Sequence, residues 1–188
     1  GSASGLSVAA DWTAESDQDS AQFGAAVSTA GDVNNDGYSD IVVGAPYYDN
    51  GQNNEGRAFV YHGSASGLSV AADWTAESDQ DSAQFGAAVS TAGDVNNDGY
   101  SDIVVGAPYY DNGQNNEGRA FVYHGSASGL SVAADWTAES DQADAYFGWS
   151  VATSGDVNGD SYSDIIISAH YYDNGQNNEG RAFVYHGS

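Results

Sequence analysis

Gly31-Asp32-Val33-Asn34-Asn35-Asp36-Gly37-Tyr38-Ser39-Asp40 is the stretch around which the chain is organised. Oxygen-bearing side chains stand at alternate positions, a turn glycine follows, and a further carboxylate ends the stretch. Hard divalent cations take about six to eight oxygens at about 2.3–2.6 Å, and calcium loops supply them from alternating residues and a backbone carbonyl. The stretch therefore predicts a calcium site.

The same pattern occurs three times. It returns at residues 94–102 and again at 156–164, where Gly159 and Ser161 replace an asparagine and a glycine of the first copy. One Asp-x-Asn-x-Asp-Gly segment is only the front half of a known calcium-loop pattern. Three copies at equal spacing make the prediction much stronger.

The whole chain is one unit of 62 residues written three times. The repeats are residues 1–62, 63–124 and 125–186, and residues 187–188 match the start of a further repeat. The first two copies are identical, and the third departs from them only between residues 143 and 170. Such a period is typical of propellers, solenoids and arrays, in which one repeat cannot bury its own apolar faces. Identity between copies favours engineering or recent amplification.

Composition excludes several classes of partner. Of the 188 residues, 3 are Lys or Arg and 27 are Asp or Glu, giving a net charge of −24. A protein needs a basic surface patch to bind nucleic acids or anionic membranes, so neither is expected as a partner of this chain. There is no cysteine, and no apolar run approaches the roughly 18 residues that span a bilayer. The segment carries no signal peptide, and a natural protein of this kind is expected outside the cell or at its surface.

The coarse secondary structure is all-β. Four short runs recur between turn-forming clusters, at residues 6–14, 23–29, 40–44 and 57–62 of the first copy. The β-branched run Ile41-Val42-Val43 suits a strand that is covered on both faces. Four antiparallel strands per unit, repeated radially, predict the blades of a β-propeller.

Three motifs in fixed order resemble the FG-GAP repeat. Phe23-Gly24, the calcium-type loop and Gly44-Ala45-Pro46 follow one another in the first copy, and the second repeats them fully. The third keeps Phe147-Gly148 but has Ser168-Ala169-His170. This repeat builds the β-propeller of integrin α subunits and of many extracellular proteins, so the resemblance implies that fold for essentially the whole chain.

The resemblance also implies about one Ca²⁺ per repeat, held by a nine-position loop between the first two strands of a blade. The implied ligands are the side chains of Asp32, Asn34, Asp36, Asp40, Asp94, Asn96, Asp98, Asp102, Asp156, Asn158, Asp160 and Asp164, with the backbone carbonyls of Tyr38, Tyr100 and Tyr162. The ninth-position carboxylate closes the site, because Val43 stands where an EF-hand has its final glutamate. The third site is expected to be weaker, since Ser161 occupies a position that favours glycine.

Three blades do not close a ring, and they leave two exposed sheet edges. Residues 6–14 precede the first strand of their own repeat and so resemble the outermost strand of the preceding blade. We therefore expect a homodimer that exchanges strands and closes a six-bladed ring. A fragment of a longer propeller and a nine-bladed trimer are the alternatives.

Aromatic residues offer the other candidate sites. Trp12, Trp74 and Trp136 recur in register, which favours packing between blades over sugar stacking. Tyrosine pairs beside Asp-Asn-Gly loops suit either carbohydrate binding or a solvated loop, and Tyr146, Trp149 and His170 occur only in the third repeat. No catalytic motif is present. The sequence predicts a calcium-stabilised structural propeller, with a lectin-like or integrin-like multivalent binding module as the alternative.

Overall fold

The computed structural model describes residues 5–188, and within that range the chain is all-β. The strands are β1 (Ala26–Gly31), β2 (Asp40–Ala45), β3 (Arg57–Tyr61), β4 (Trp74–Glu77), β5 (Ala88–Gly93), β6 (Asp102–Ala107), β7 (Arg119–Tyr123), β8 (Trp136–Glu139), β9 (Phe147–Gly155), β10 (Asp164–Ala169) and β11 (Arg181–Tyr185). The described part of the chain has no helix long and apolar enough to cross a membrane.

The strands form three antiparallel sheets, one for each blade. The first sheet has the order β1-β2-β3-β4, the second β5-β6-β7-β8, and the third β9-β10-β11. The fourth strand of each complete sheet comes from the start of the following repeat, as the sequence predicted. Within residues 5–188 the third sheet has three strands.

The predicted outer strand is shorter than expected. In the second and third repeats only Trp-Thr-Ala-Glu pairs with the preceding sheet, and residues 6–14 of the first repeat form no strand. The valines upstream are almost fully exposed, with Val70 at 94% and Val132 at 93%, although Leu130 is buried. The prediction of a strand over residues 6–14 is therefore wrong in its bounds. Alternation of apolar residues does not make a strand where no sheet face covers them.

The sheets stack face to face, with β1, β5 and β9 adjacent. One core lies between the first and second sheets and includes Val42, Val60, Phe85 and Ile103. A second core lies between the second and third sheets and is built from the equivalent residues one repeat later. The middle strand β6 is buried along its entire length, which confirms the prediction of a strand covered on both faces.

Glycines let neighbouring sheets approach each other closely. A Cβ atom at Gly44 would collide with the carbonyl oxygen of Gly86, and one at Gly106 would collide with that of Gly148. The glycines of the Phe-Gly and Gly-Ala-Pro motifs therefore touch across each junction. Ser168 holds the equivalent place in β10, where its Oγ accepts a hydrogen bond from the Ser150 N–H at 3.1 Å.

The outer faces of the first and third sheets expose apolar residues that are buried elsewhere. Val27 on the first sheet is 69% exposed, whereas its equivalent Val89 is 8% exposed. Val184 on the third sheet is 47% exposed, whereas Val60 is fully buried. Because these pairs have identical local sequences, the difference arises only from the presence or absence of a neighbouring sheet. We call the open side of the first sheet the leading face and the open side of the third sheet the trailing face.

Candidate metal centre

The predicted calcium loop forms the hairpin between β1 and β2. The carboxylate of Asp32 accepts the N–H of Asp36 at 3.0 Å and that of Gly37 at 2.9 Å. Asn34 Oδ1 accepts the Asp36 N–H at 3.1 Å, and Asp36 Oδ1 accepts the Tyr38 N–H at 3.0 Å. These hydrogen bonds hold the side-chain oxygens of the loop around its turn, and the second and third loops repeat them.

The ninth-position carboxylate anchors each loop to the core. Asp40 is fully buried, and its two oxygens accept the N–H groups of Val33 and Gly63 at 2.8 Å each. Gly63 begins the second repeat, so this carboxylate ties the loop to the next unit of the chain. The buried Asp102 and Asp164 make the equivalent bonds.

Burial and hydrogen bonding act in opposite directions on these buried carboxylates. Burial raises the pKa of Asp40, and it raises the pKa of Asp102 to about 6, because the charged form is poorly solvated. Burial also opposes ionisation of Asp164, but the N–H groups of Val157 and Gly187 and the His186 ring outweigh it and lower its pKa. A cation beside Asp102 would favour its ionised form.

The donor set of the loops fits a hard cation. Each loop offers three carboxylates and one amide oxygen, which are ligands that Ca²⁺ takes. A carboxylate oxygen that accepts one N–H keeps capacity for a further contact. Within residues 5–188, however, the one set of three carboxylates whose oxygens lie within 4.8 Å of one another is elsewhere, at Glu117, Glu139 and Asp141. Sequence reasoning missed this set, because its members come from different repeats.

The backbone of the third loop is strained as the sequence predicted. Gly37 and Gly99 have φ angles of 89° and 92°, and Ser161 is held at 78° in the same place. Gly159 has a φ of 78° where Asn35 has 55°. Glycine at position 159 therefore suits the left-handed backbone, whereas serine at position 161 does not.

Neighbouring repeats hold the first and second loops. Ser101 donates its N–H to the Asp32 carbonyl at 3.0 Å, and its Oγ accepts the Asp32 N–H at 3.2 Å. Ser163 holds Asp94 in the same way. No such partner holds the third loop among the described residues, and Val157 beside it is 56% exposed whereas Val33 is fully buried. The serine before the ninth-position aspartate is the sequence signal for this contact.

The repeated tryptophans pack between blades. The Trp74 ring lies 4.8 Å from that of Tyr123, and its Nε1–H donates to the Ser131 carbonyl at 2.8 Å. Trp12 makes the matching contacts with Tyr61, at 4.9 Å, and with Ser69. These contacts support the packing interpretation over sugar stacking.

The aromatic residues of the third repeat form a surface cluster. His170 lies 4.3 Å from Trp149 and 4.1 Å from Tyr171 between ring centroids, and Tyr146 joins them. Trp149 and Tyr171 are each 46% exposed. Tyr109 of the second blade contacts Tyr146 at 5.1 Å, so the cluster lies across the seam between two blades.

Comparison with known proteins gives one family. A model of the FG-GAP repeat matches residues 23–61, 85–123 and 147–185. Integrin alpha-6 of Homo sapiens is 37% identical over 139 residues, which are 73% of this chain and 12% of that protein. Integrin alpha-PS2 of Drosophila melanogaster is 34% identical over 164 residues, which are 80% and 12%. Phosphatidylinositol-glycan-specific phospholipase D of Mus musculus is 34% identical over 162 residues, which are 82% and 19%. The chain thus spans less than a fifth of the length of these relatives.

Proposed function

The chain belongs to the FG-GAP repeat family as an integrin-like propeller, and from this premise we propose that it is a calcium-stabilised structural scaffold without catalytic activity. The observation that carries the proposal is the triplicated hairpin loop, whose oxygen side chains are ordered around one turn and anchored by a buried aspartate. As one relative bears the name of a phospholipase, the non-catalytic role rests on this chain's own residues.

The residues that would hold each ion are the four side chains and one carbonyl of each loop. A bound Ca²⁺ supplies positive charge that offsets the loop carboxylates, which otherwise repel one another. The buried ninth-position aspartate orients the loop by binding two backbone N–H groups, one of them from the next repeat. Calcium binding and blade packing are therefore expected to stabilise each other.

Thermal unfolding with and without a chelator tests the calcium role. A ligand bound only by the folded state raises stability by mass action, so calcium should raise the melting temperature of the parent chain. Asp98→Asn should reduce that increase, whereas Asp19→Asn, which changes the same charge at an exposed position outside the loops, should not. Equal melting temperatures in calcium and in chelator would overturn the proposal.

We propose further that two copies of the chain close a six-bladed ring, with the leading face of each against the trailing face of the other. The junctions within the chain provide the template. Applying their register to residues 12–15 of one copy would pair Glu15 with Arg181 and Trp12 with Val184 of the other, as Glu77 pairs with Arg57 and Trp74 with Val60. Trp12 is already held by Tyr61 in the position that this pairing needs.

The two faces are complementary in chemistry. The leading face carries an open groove of about 530 Å³ lined by Trp12, Phe23, Val27 and Ile41 among others. The trailing face presents Val184 and Val157, whose equivalents are fully buried or nearly so at the first junction. Covering both patches would remove apolar surface from water, which is the dominant favourable term in association.

One residue of the third repeat opposes an exact copy of the internal junction. Ser168 stands where Gly44 and Gly106 touch the next sheet, so its Cβ atom would press on the Gly24 carbonyl of a second copy. The closing junction must therefore be wider than the internal ones. Ser168→Gly is expected to tighten association, because it removes this contact.

Light scattering on the purified chain tests ring closure. We expect the mass of two copies for the parent and of one copy for Val184→Asp, which places a charge in the junction. Val8→Asp is the matched control, because Val8 is fully exposed and lies outside the sheets. A single-copy mass for the parent, or a three-copy mass, would refute the six-bladed dimer.

A second candidate function is a binding module, either for carbohydrate or for protein, at the cell surface or outside the cell. The exposed cluster of Trp149 and Tyr171 favours it, because half-exposed aromatic faces can stack on the apolar face of a sugar ring. A glycan array with the parent and Trp149→Ala tests the carbohydrate version. Binding of the parent to one sugar class, lost in Trp149→Ala, would support the carbohydrate version. If the parent binds no glycan on the array, the scaffold role is favoured.

A further inference from the structure

A carboxylate cluster joins the second and third repeats, away from the hairpin loops. Glu117 lies just before β7, Glu139 ends β8, and Asp141 follows β8. Oxygen atoms of the three carboxylates lie within 4.8 Å of one another. Arg119, next to the cluster, pairs with Glu139 across the two strands. The cluster is thus assembled by the strand that one repeat contributes to the sheet of another.

The innermost carboxylate of this cluster is buried and only half satisfied. Glu117 has no exposed surface, and its Oε1 accepts the N–H groups of Asn112 and Gln114. Among residues 5–188 its Oε2 is buried without a hydrogen-bond partner, as is the amide oxygen of Gln114, whereas Glu139 Oε2 has only an ion pair with Arg119. Burying a charged oxygen without a partner is costly, so this arrangement calls for a positive charge or a proton.

The neighbouring arginine meets only part of that need. Arg119 Nε lies 3.4 Å from Glu139 Oε2, and the guanidinium lies over the Tyr110 ring at 5.0 Å. It offsets one of three negative charges, that of Glu139. At the first junction the equivalent Arg57 is closer, 2.6 Å from Glu77, and there the three equivalent carboxylates do not form such a group.

We propose that Glu117, Glu139 and Asp141 bind a hard divalent cation of the calcium class at the junction between the second and third blades. Carboxylate oxygens are ligands that such ions prefer to nitrogen or sulfur ligands, and the cluster offers three carboxylates. At the first junction any binding by Glu55 and Glu77 is expected to be weaker, because the equivalent carboxylates do not form such a group and Arg57 competes for the Glu77 carboxylate. This proposal is independent of the hairpin loops, whose residues it does not use.

The third repeat provides an internal control. Glu179 has the same local sequence as Glu117 but is exposed, because no strand among residues 5–188 follows and covers it. It therefore lacks both partners of the cluster within the chain. A ring closed by a second copy would supply them as Glu15 and Asp17, so closure would create a further site of the same kind.

Counting bound calcium on the full chain by native mass spectrometry and calorimetry tests the site. Glu117→Gln should lose one Ca²⁺ relative to the parent and weaken that binding step about tenfold or more, since affinity follows ligand charge. Glu179→Gln should not, if measured below the concentration at which chains associate. Circular dichroism establishes that each variant is folded.

A second pair of variants distinguishes loss of a metal ligand from misfolding of the variant. Asp141→Asn changes an exposed residue and should lose the same ion, whereas the equivalent Asp79→Asn should cost only the weaker site. Equal calcium counts for the parent, Glu117→Gln and Asp141→Asn would overturn the proposal. That result, with Glu117→Gln more stable than the parent in chelator, would identify a shared proton instead. Asp98→Asn should lose only the calcium of the second loop. Its calcium count therefore distinguishes a failure of the loop sites from a failure of the site at Glu117.

Discussion

Backbone strain at Ser161 gives a prediction whose size follows from the structure. A non-glycine residue in the left-handed region costs roughly 1–2 kcal/mol, and Ser161 has a φ of 78° where the other loops have glycine. Gly159 recovers only a few tenths of this, because the asparagine that it replaces tolerates the same region. Ser161→Gly should therefore release about 1 kcal/mol.

The free energy released by Ser161→Gly should appear in one of two measurements. If the loop keeps its conformation without calcium, Ser161→Gly should raise the free energy of unfolding by about 1 kcal/mol in chelator. If only calcium imposes the conformation, the calcium affinity of the third loop should rise about fivefold instead. The reciprocal change Gly99→Ser should produce the opposite effect in the second loop.

Urea denaturation in chelator and calcium calorimetry measure the two readouts on the same protein samples. Ala127→Gly is the control for an added glycine, because Ala127 is exposed and lies outside the strands and the calcium loops. An unchanged unfolding free energy together with an unchanged calcium affinity in Ser161→Gly would refute the strain argument. So would a loss of stability in Ser161→Gly larger than that of the control.

Two further predictions compare equivalent positions that differ in their neighbours, and a third concerns the partly buried histidine of the third repeat. Phe85→Ala should cost about 3–5 kcal/mol because the ring is fully buried, and Phe23→Ala should cost less because the leading face is open; urea denaturation measures both. Gly106→Ala should lower the melting temperature strongly by colliding with the next sheet. Ser168→Ala, where a Cβ already stands, loses only the hydrogen bond from the exposed Ser150 and should lower the melting temperature much less; equal effects would contradict the close-packing argument. Burial lowers the pKa of His170 from 6.5, so the unfolded chain binds its proton more tightly and stability should fall as the pH drops below about 6.5. His170→Phe should reduce that fall, and identical pH profiles would count against it.

The local sequence of one repeat was enough to predict the blade and its hairpin loop. The order of Phe-Gly, the aspartate loop and Gly-Ala-Pro identified the repeat, and the family match bears this out. The position of Trp74–Glu77 as the last strand of the preceding blade was also predicted and is confirmed. These features are local or follow from the period, and so they can be read from one copy.

The extent of the outer strand could not be predicted from the same pattern. Val70 and Val132 alternate with polar residues as strand residues do, yet both are exposed in a connecting segment. Period-two alternation predicts which residues would share a face of a strand. That face is buried only where a neighbouring sheet covers it.

What the sequence by itself determined is the unit: its strands, its oxygen-rich hairpin and the glycines where blades touch. What only the tertiary structure decided is how identical units come to differ. Val27 is exposed and Val89 buried, and Glu117 is enclosed while Glu179 is open, although each pair has the same local sequence. Burial depends on which blade stands beside a residue, and identical local sequences cannot encode different neighbours. The open faces, the orphaned carboxylate and the looser third loop all follow from that one physical fact.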